Sequence, residues 1–192
     1  VKRQIYLVSE SPRRKELLAR LLNCGFFSLK NYHDEKMESG KSPFSQVKTN
    51  CIGKINSVKE KPSNSILISS DTIVVANGHM LGKPGDRSAA LKMLGKISGR
   101  TISVISGVAV LDAKKKKLFY GHEKTVVKIK KLSDREIRKY VGTGEPLDKA
   151  GAFAIQGKGS FLVEWIEGDY FNVVGLPVQR LALLLSAAGV KI

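Results

Sequence analysis

Asp71 lies in Ser69-Ser70-Asp71-Thr72-Ile73-Val74-Val75, a segment otherwise built from small and β-branched residues. An ionised carboxylate inside so apolar a strand is costly to bury unless it is paired or binds a metal. Strand ends are common places for catalytic groups in α/β folds. Asp71 is therefore a candidate acid or base, the alternative being a carboxylate satisfied by its neighbours. Asp34-Glu35 places two adjacent acids in a polar stretch. They suit a hard cation such as Mg²⁺, which takes oxygen ligands and keeps several waters, or they are simply solvated in a loop. Ser9-Glu10-Ser11-Pro12-Arg13-Arg14 stands between an apolar run and a leucine-rich one. A helix starting there offers free N–H groups and partial positive charge to an anion. Two hydroxyls and two guanidiniums add donors for phosphate oxygens; a capped helix with surface arginines is the plainer reading. Lys54 and Lys83, the latter in Leu81-Gly82-Lys83-Pro84, would neutralise transferring phosphates, although most lysines are only exposed. Gly144-Glu145-Pro146-Leu147-Asp148-Lys149-Ala150-Gly151 precedes Ile155-Gln156-Gly157. Its glycines let backbone approach a ligand, and Gln156 has the paired donor and acceptor to read a base edge. A turn-rich loop explains the same glycines.

These residues need elements to carry them. Ile5–Val8 reads as a short buried strand, and Ser11-Pro12 opens a helix with Leu17, Leu18, Leu21 and Leu22 at helical spacing. Gly25 ends that helix, residues 26–30 return as a strand, and residues 31–43 form a polar loop. Residues 44–58 make an amphipathic helix. Ile66 to Ala76 is β-branched enough for a central strand, and Asn77-Gly78 turns it toward Met80-Leu81. Residues 87–97 read as a helix, 101–111 and 118–130 as two long strands. Ser133 to Val141 is a helix with Ser133 and Glu136 in capping-box spacing. Residues 142–159 read as loop, 161–167 as a strand and 176–188 as a closing helix. This mixture predicts an α/β or α+β sheet with helical covers. No internal repeat or long linker interrupts it.

The 192 residues allow one substantial α/β domain or two small lobes. With 33 Lys+Arg against 17 Asp+Glu, the net charge is +16, a field that attracts polyanions. The tightest cationic run, Lys114–Lys117, reads as a solvated hairpin tip. Cys24 and Cys51 form no Cys-x-x-Cys pattern, which argues against a zinc site or a disulfide framework and for a reducing, cytoplasmic setting. Ile5–Val8 is too short for a signal peptide. The stretch from Leu176 to Val190, broken by Gln179 and Arg180, is too short to span a bilayer. His33, His79 and His122 are scattered and read as surface or structural residues.

Taken in order, the motifs resemble the Maf family of nucleotide pyrophosphatases. The matches are Ser-x-Ser-Pro-Arg-Arg from Ser9 to Arg14, Asp34-Glu35, Ser70-Asp71-Thr72, Leu81-Gly82-Lys83-Pro84 and Ser98-Gly99-Arg100. Tyr140, Gly144-Glu145-Pro146, Asp148-Lys149-Ala150-Gly151, Ile155-Gln156-Gly157, Gly168-Asp169-Tyr170 and Asn172-Val173-Val174-Gly175-Leu176-Pro177 complete them. The resemblance implies one domain over residues 1–192: a two-lobed, Maf/ITPase-like α/β fold, a mixed sheet with flanking helices and a central cleft. It implies divalent-metal-dependent hydrolysis of a nucleoside triphosphate, with Mg²⁺ or Mn²⁺, to the monophosphate and pyrophosphate. Asp71 matches the catalytic acid/base and Glu35 a metal-binding acid; in the mechanism this suggests, Asp71 is also a candidate ligand of the metal. Ser9, Arg13, Lys54 and Lys83 match groups lining the phosphate site, and Arg14 joins them as a substrate-binding candidate from its place in the same segment. Arg13, Thr72 and Gln156 match positions linked to substrate choice, in the form of the dTTP/UTP branch. A cytoplasmic homodimer is implied as well. Two departures stand out: Glu10 where the family usually has a small residue, and Ile102 where many members have His.

Two other classes compete. The charge suits a nucleic-acid-binding module, but no RNA-binding, zinc-finger or helix-turn-helix pattern accompanies it, and aromatics are only 7%. A nucleotide-binding regulator linked to cell division would keep the pocket without turnover. The acids at 35 and 71 argue against it, because bare carboxylates repel a triphosphate unless a metal intervenes.

Overall fold

The computed structural model describes residues 3–38 and 40–192. Ser39, in the expected 31–43 loop, and the first two residues of the expected 1–192 domain lie outside them. The chain forms the expected mixed α/β fold. Its strands are β1 (Gln4–Leu7), β2 (Phe27–Ser28), β3 (Ser65–Ala76), β4 (His79–Leu81), β5 (Thr101–Asp112), β6 (Lys117–Ile129) and β7 (Val163–Glu167). Its helices are α1 (Pro12–Leu21), α2 (Pro43–Asn56), α3 (Arg87–Ile97), α4 (Asp134–Gly142), α5 (Tyr170–Val174) and α6 (Val178–Ala187). One seven-stranded sheet has the order β2-β1-β3-β5-β6-β7, with β4 added to β3. β1 runs parallel to β2 and β3, while β3–β4 and β6–β7 are antiparallel.

Two compact units divide the chain, the first comprising Val1–Asp71, Ser106–Glu123 and Gly175–Ile192, the second Thr72–Ile105 and Lys124–Val174. In the first, Val8, Cys51, Ile55, Val58, Leu67 and Ala109 form a buried apolar cluster. Arg3 pairs with Asp112 at 2.9 Å and donates to the Ala188 carbonyl at 2.8 Å, holding the end of α6. The second unit packs Val74, Leu81, Leu94, Ile97, Ile129 and Tyr140 around its own core. Ile102 belongs there too, 2% exposed, as an ordinary core residue.

Local signals account for most elements. The β3–β4 hairpin turns at Asn77 and Gly78, whose φ values of 50° and 77° are those of the primed turns that suit hairpins. Lys114, Lys115 and Lys116 lie in the exposed β5–β6 turn, and Lys117 opens β6. Three differences are informative. Residues 26–30 yield only the two-residue β2. The expected loop 142–159 instead winds into 3-10 helices at Glu145–Asp148 and Ala150–Ala152, with a third at Gly157–Leu162 that delays β7 to Val163. Gly144, Gly151 and Gly157 adopt φ of 77°, 67° and 66°, left-handed values that break the segment into short pieces. The short α5 had no counterpart in the sequence reading, being less than two turns long.

Candidate active site

Asp71 ends the first unit inside β3 and is 4% exposed. Its burial is matched by partners. Lys54, 2% exposed on α2, places Nζ 2.7 Å from Asp71 Oδ1, and Asn50 Nδ2 donates to Asp71 Oδ2 at 2.8 Å. The same Nζ donates to the Ser70 carbonyl at 3.0 Å and lies 2.8 Å from Glu35 Oε1. The ammonium has three N–H donors, and three oxygens surround it. Glu35, whose side chain is 34% exposed, and the buried Asp71 thus converge on one cation. Asp34 pairs instead with Lys36 at the surface.

The segment Ser9–Arg14 joins β1 to α1. Leu7 pairs with Ile68, and Val8 N donates to the Ile68 carbonyl at 2.7 Å, so that register carries Ser9 alongside Ser70. Ser9 is buried and its Oγ accepts from Ser11 N at 3.3 Å. The N-cap Ser11 makes no side-chain cap bond, whereas Ser42, Asp86 and Ser133 cap α2, α3 and α4. The start of α1 is thus left to other acceptors, as suits an anion-binding helix end. Arg14 Nε donates to the Gly175 carbonyl at 2.8 Å. Ser70 Oγ reaches the same carbonyl at 3.1 Å, which ties α1 to the residue next to Asp71. Burial lowers the Arg14 pKa, and the charges of Asp71 and Glu35 work against that. Arg13 is half-buried and Glu10 is exposed.

Thr72, Lys83 and Gln156 belong to the second unit. Thr72 is half-buried in β3, Lys83 is exposed in the loop after β4, and Gln156 is half-buried just before the third 3-10 helix. Next to Gln156, Lys158 N donates to Glu145 Oε1 at 3.1 Å, and a Cβ on Gly157 would collide with that oxygen. A cavity of about 240 Å³ in this unit, lined by Ala76, Asn77, His79, Leu81, Lys96 and Arg100, contains none of the candidate residues.

Sequence reasoning does not single out Gln46 or Asn50 and reads His33 as a surface or structural residue. Asn50 Oδ1 accepts from Gln46 Nε2 at 3.1 Å and lies 3.3 Å from His33 Nε2. The signal was present as Gln46, Asn50 and Lys54 at four-residue spacing, a polar line along α2. Ser70 and Gly175 stand out in the sequence only as parts of longer motifs.

The donor set bears on the implied metal. No group of three or more His, Cys, Asp or Glu suited to a metal occurs among the described residues, which does not match a closed zinc cage. Two convergent carboxylates fit Mg²⁺ or Mn²⁺ chemistry, in which one or two protein acids share the ion with waters and substrate phosphates.

The family model for Maf-like protein matches residues 4–188. The chain is 43% identical over 189 residues to a dTTP/UTP pyrophosphatase of Dictyoglomus turgidum, covering 98% of each chain. It is 46% identical over 190 residues to a dTTP/UTP pyrophosphatase of Methanosarcina barkeri, and 44% identical over 190 residues to that of Methanosarcina mazei. Each of these two alignments covers 99% of this chain and 96% of the relative.

Proposed function

The chain belongs to the family of Maf-like proteins, and from that premise we propose that it hydrolyses dTTP and UTP, or modified pyrimidine nucleotides, to the monophosphate and pyrophosphate. The observation that carries this reading is the buried Lys54, 2.7 Å from the buried Asp71 and 2.8 Å from the partly exposed Glu35. A purely structural core would gain little from two carboxylates gathered on one buried ammonium, since burying such groups costs several kcal/mol per ion, on the order of what their attraction returns.

Asp71 orients the attacking water and accepts its proton. The water oxygen bonds to phosphorus as the P–O bond at the α–β junction breaks, and pyrophosphate leaves. Ser9, Arg13, Arg14 and the start of α1 receive phosphate oxygens, while Lys54 and Lys83 offset the charge moving onto the leaving group. Glu35 and Asp71 would hold Mg²⁺ or Mn²⁺, which supplies charge neutralisation at the phosphate oxygens. Arg13, Thr72 and Gln156 select the base. We place the reaction in the cytoplasm, in a homodimer; no helix among the described residues is long and apolar enough to cross a membrane.

The test is pyrophosphate release from dTTP, UTP, CTP, GTP, ATP and 7-methyl-GTP with Mg²⁺ or Mn²⁺. Fast, metal-dependent cleavage of dTTP and UTP supports the reading. Cleavage of a different nucleotide would keep the reaction and reject the assignment of Arg13, Thr72 and Gln156. An absence of turnover would favour the nucleotide-binding regulator.

A further inference from the structure

Helix α2 buries Gln46, Asn50 and Lys54, each at most 3% exposed. Four-residue spacing puts them on one face of the helix. The proposed hydrolysis uses Lys54 and neither amide. A buried amide is costly unless its hydrogen bonds are made, and these are made to particular partners. Asn50 Nδ2 donates to Asp71 Oδ2 at 2.8 Å while Lys54 takes Asp71 Oδ1 at 2.7 Å, so one helix holds both carboxylate oxygens. Gln46 Nε2 donates to the Lys36 carbonyl at 3.0 Å, and Gln46 Oε1 accepts from Glu38 N at 2.9 Å. His33 Nε2 lies 3.3 Å from Asn50 Oδ1, and its ring lies against Gly53, where a Cβ would collide with it. Glu35 sits between these anchors, in a segment with no helix or strand of its own.

We propose that Asn50 and Gln46 are positioning residues of the active site: Asn50 fixes the orientation of Asp71, and Gln46 fixes the segment that carries Glu35. This inference rests on the pyrophosphatase reading of the same cluster. Neither amide touches the reacting atoms. Both act through the carboxylates, so that the two acids keep a common aim when substrate arrives. A role limited to packing would cost stability without separating kcat from KM.

Asn50→Leu removes the donor at similar volume, Asn50→Gln keeps an amide on a longer stem, and Gln46→Leu releases the 36–38 segment. Two readouts are needed: steady-state pyrophosphate release from dTTP with Mg²⁺, and Mn²⁺ binding to substrate-free protein by electron paramagnetic resonance. Outer-shell partners of a metal site are typically worth about 10- to 100-fold. Asn50→Leu should lower kcat by about that factor with little change in KM, and Asn50→Gln should recover part of it. Gln46→Leu should weaken Mn²⁺ binding by about tenfold or more. A folded Asn50→Leu enzyme with the wild-type kcat would overturn the assignment of Asn50. Unchanged Mn²⁺ affinity in Gln46→Leu would overturn that of Gln46. If Asn50→Leu does not fold, Asn50→Gln decides: a partial loss of kcat with little change in KM supports the role of the amide, and wild-type kcat and KM reject it. A wild-type protein that releases no pyrophosphate rejects the parent reading instead, and the Mn²⁺ measurement still decides whether α2 aims Glu35.

Discussion

Asp71 and Lys54 depend on each other, with side chains 5% and 2% exposed at 2.7 Å. Removing one partner of a buried pair leaves an uncompensated charge, at a cost of about 3–5 kcal/mol. Lys54→Met should therefore lower the free energy of urea unfolding by that order, and an unchanged midpoint would mean that Asp71 finds another partner. Asp71→Asn keeps the shape but abolishes the base, so kcat should fall at least about a hundredfold, and a near wild-type rate would reject that role. Gln156→Glu replaces an amide donor with an acceptor-only group. Turnover of dTTP and UTP should fall while the protein stays folded; unaltered selectivity would remove Gln156 from base recognition. Cys51 has a different fate. Burial, reinforced by the Asp71 charge, pushes its thiol up to about 12, so it stays protonated and unreactive at neutral pH. Iodoacetamide labelling of the native protein, read by mass spectrometry, should modify the half-buried Cys24 and spare Cys51.

Helix α2 carries two jobs at once, since Cys51 and Ile55 join the apolar cluster while Gln46, Asn50 and Lys54 form the polar line toward the acids. Amphipathic spacing marked it as a helix, but a buried polar line resembles an ordinary wet face in sequence. Helix α4 shows the opposite case. Its capping box is complete: Ser133 Oγ accepts from Glu136 N at 3.3 Å, and Ser133 N donates to Glu136 Oε2 at 2.8 Å. Those residues were legible beforehand because a cap is made within one turn. Ser133→Ala should cost about 1 kcal/mol. The Glu136 carboxyl is held down at about 2, chiefly by its hydrogen bond with Lys130 and then by those with Ser133. A depressed carboxyl stabilises the fold above its ordinary value of 4.5 and loses that contribution as pH falls toward 2. Wild type should therefore exceed Glu136→Gln in stability at neutral pH, with the gap closing toward pH 2 in urea titrations. A gap independent of pH would show that the charge of Glu136 is immaterial.

A net charge of +16 on 192 residues acts on the molecule as a whole. Self-repulsion opposes the compact state and the field draws in anions, while salt screens both, with a Debye length of about 10 Å at 0.1 M. Adding salt should raise Tm at low ionic strength and raise the KM for dTTP more than it lowers kcat. Tight DNA or RNA binding with a steep salt dependence would instead point to the nucleic-acid module. What can be read along the chain is local or linear. The β-branched run of β3, the Asn77-Gly78 turn, the α4 cap, the reactive residue types and the order of motifs that marks the family all act through a few neighbouring residues or can be read in line. The pairings come from the folded chain alone. Asp71 meets a lysine 17 positions away, and Ser70 shares the Gly175 carbonyl across 105 positions with Arg14. Those contacts arise from strand order and register, which place distant segments side by side, and local propensity carries no record of which segment will be the neighbour.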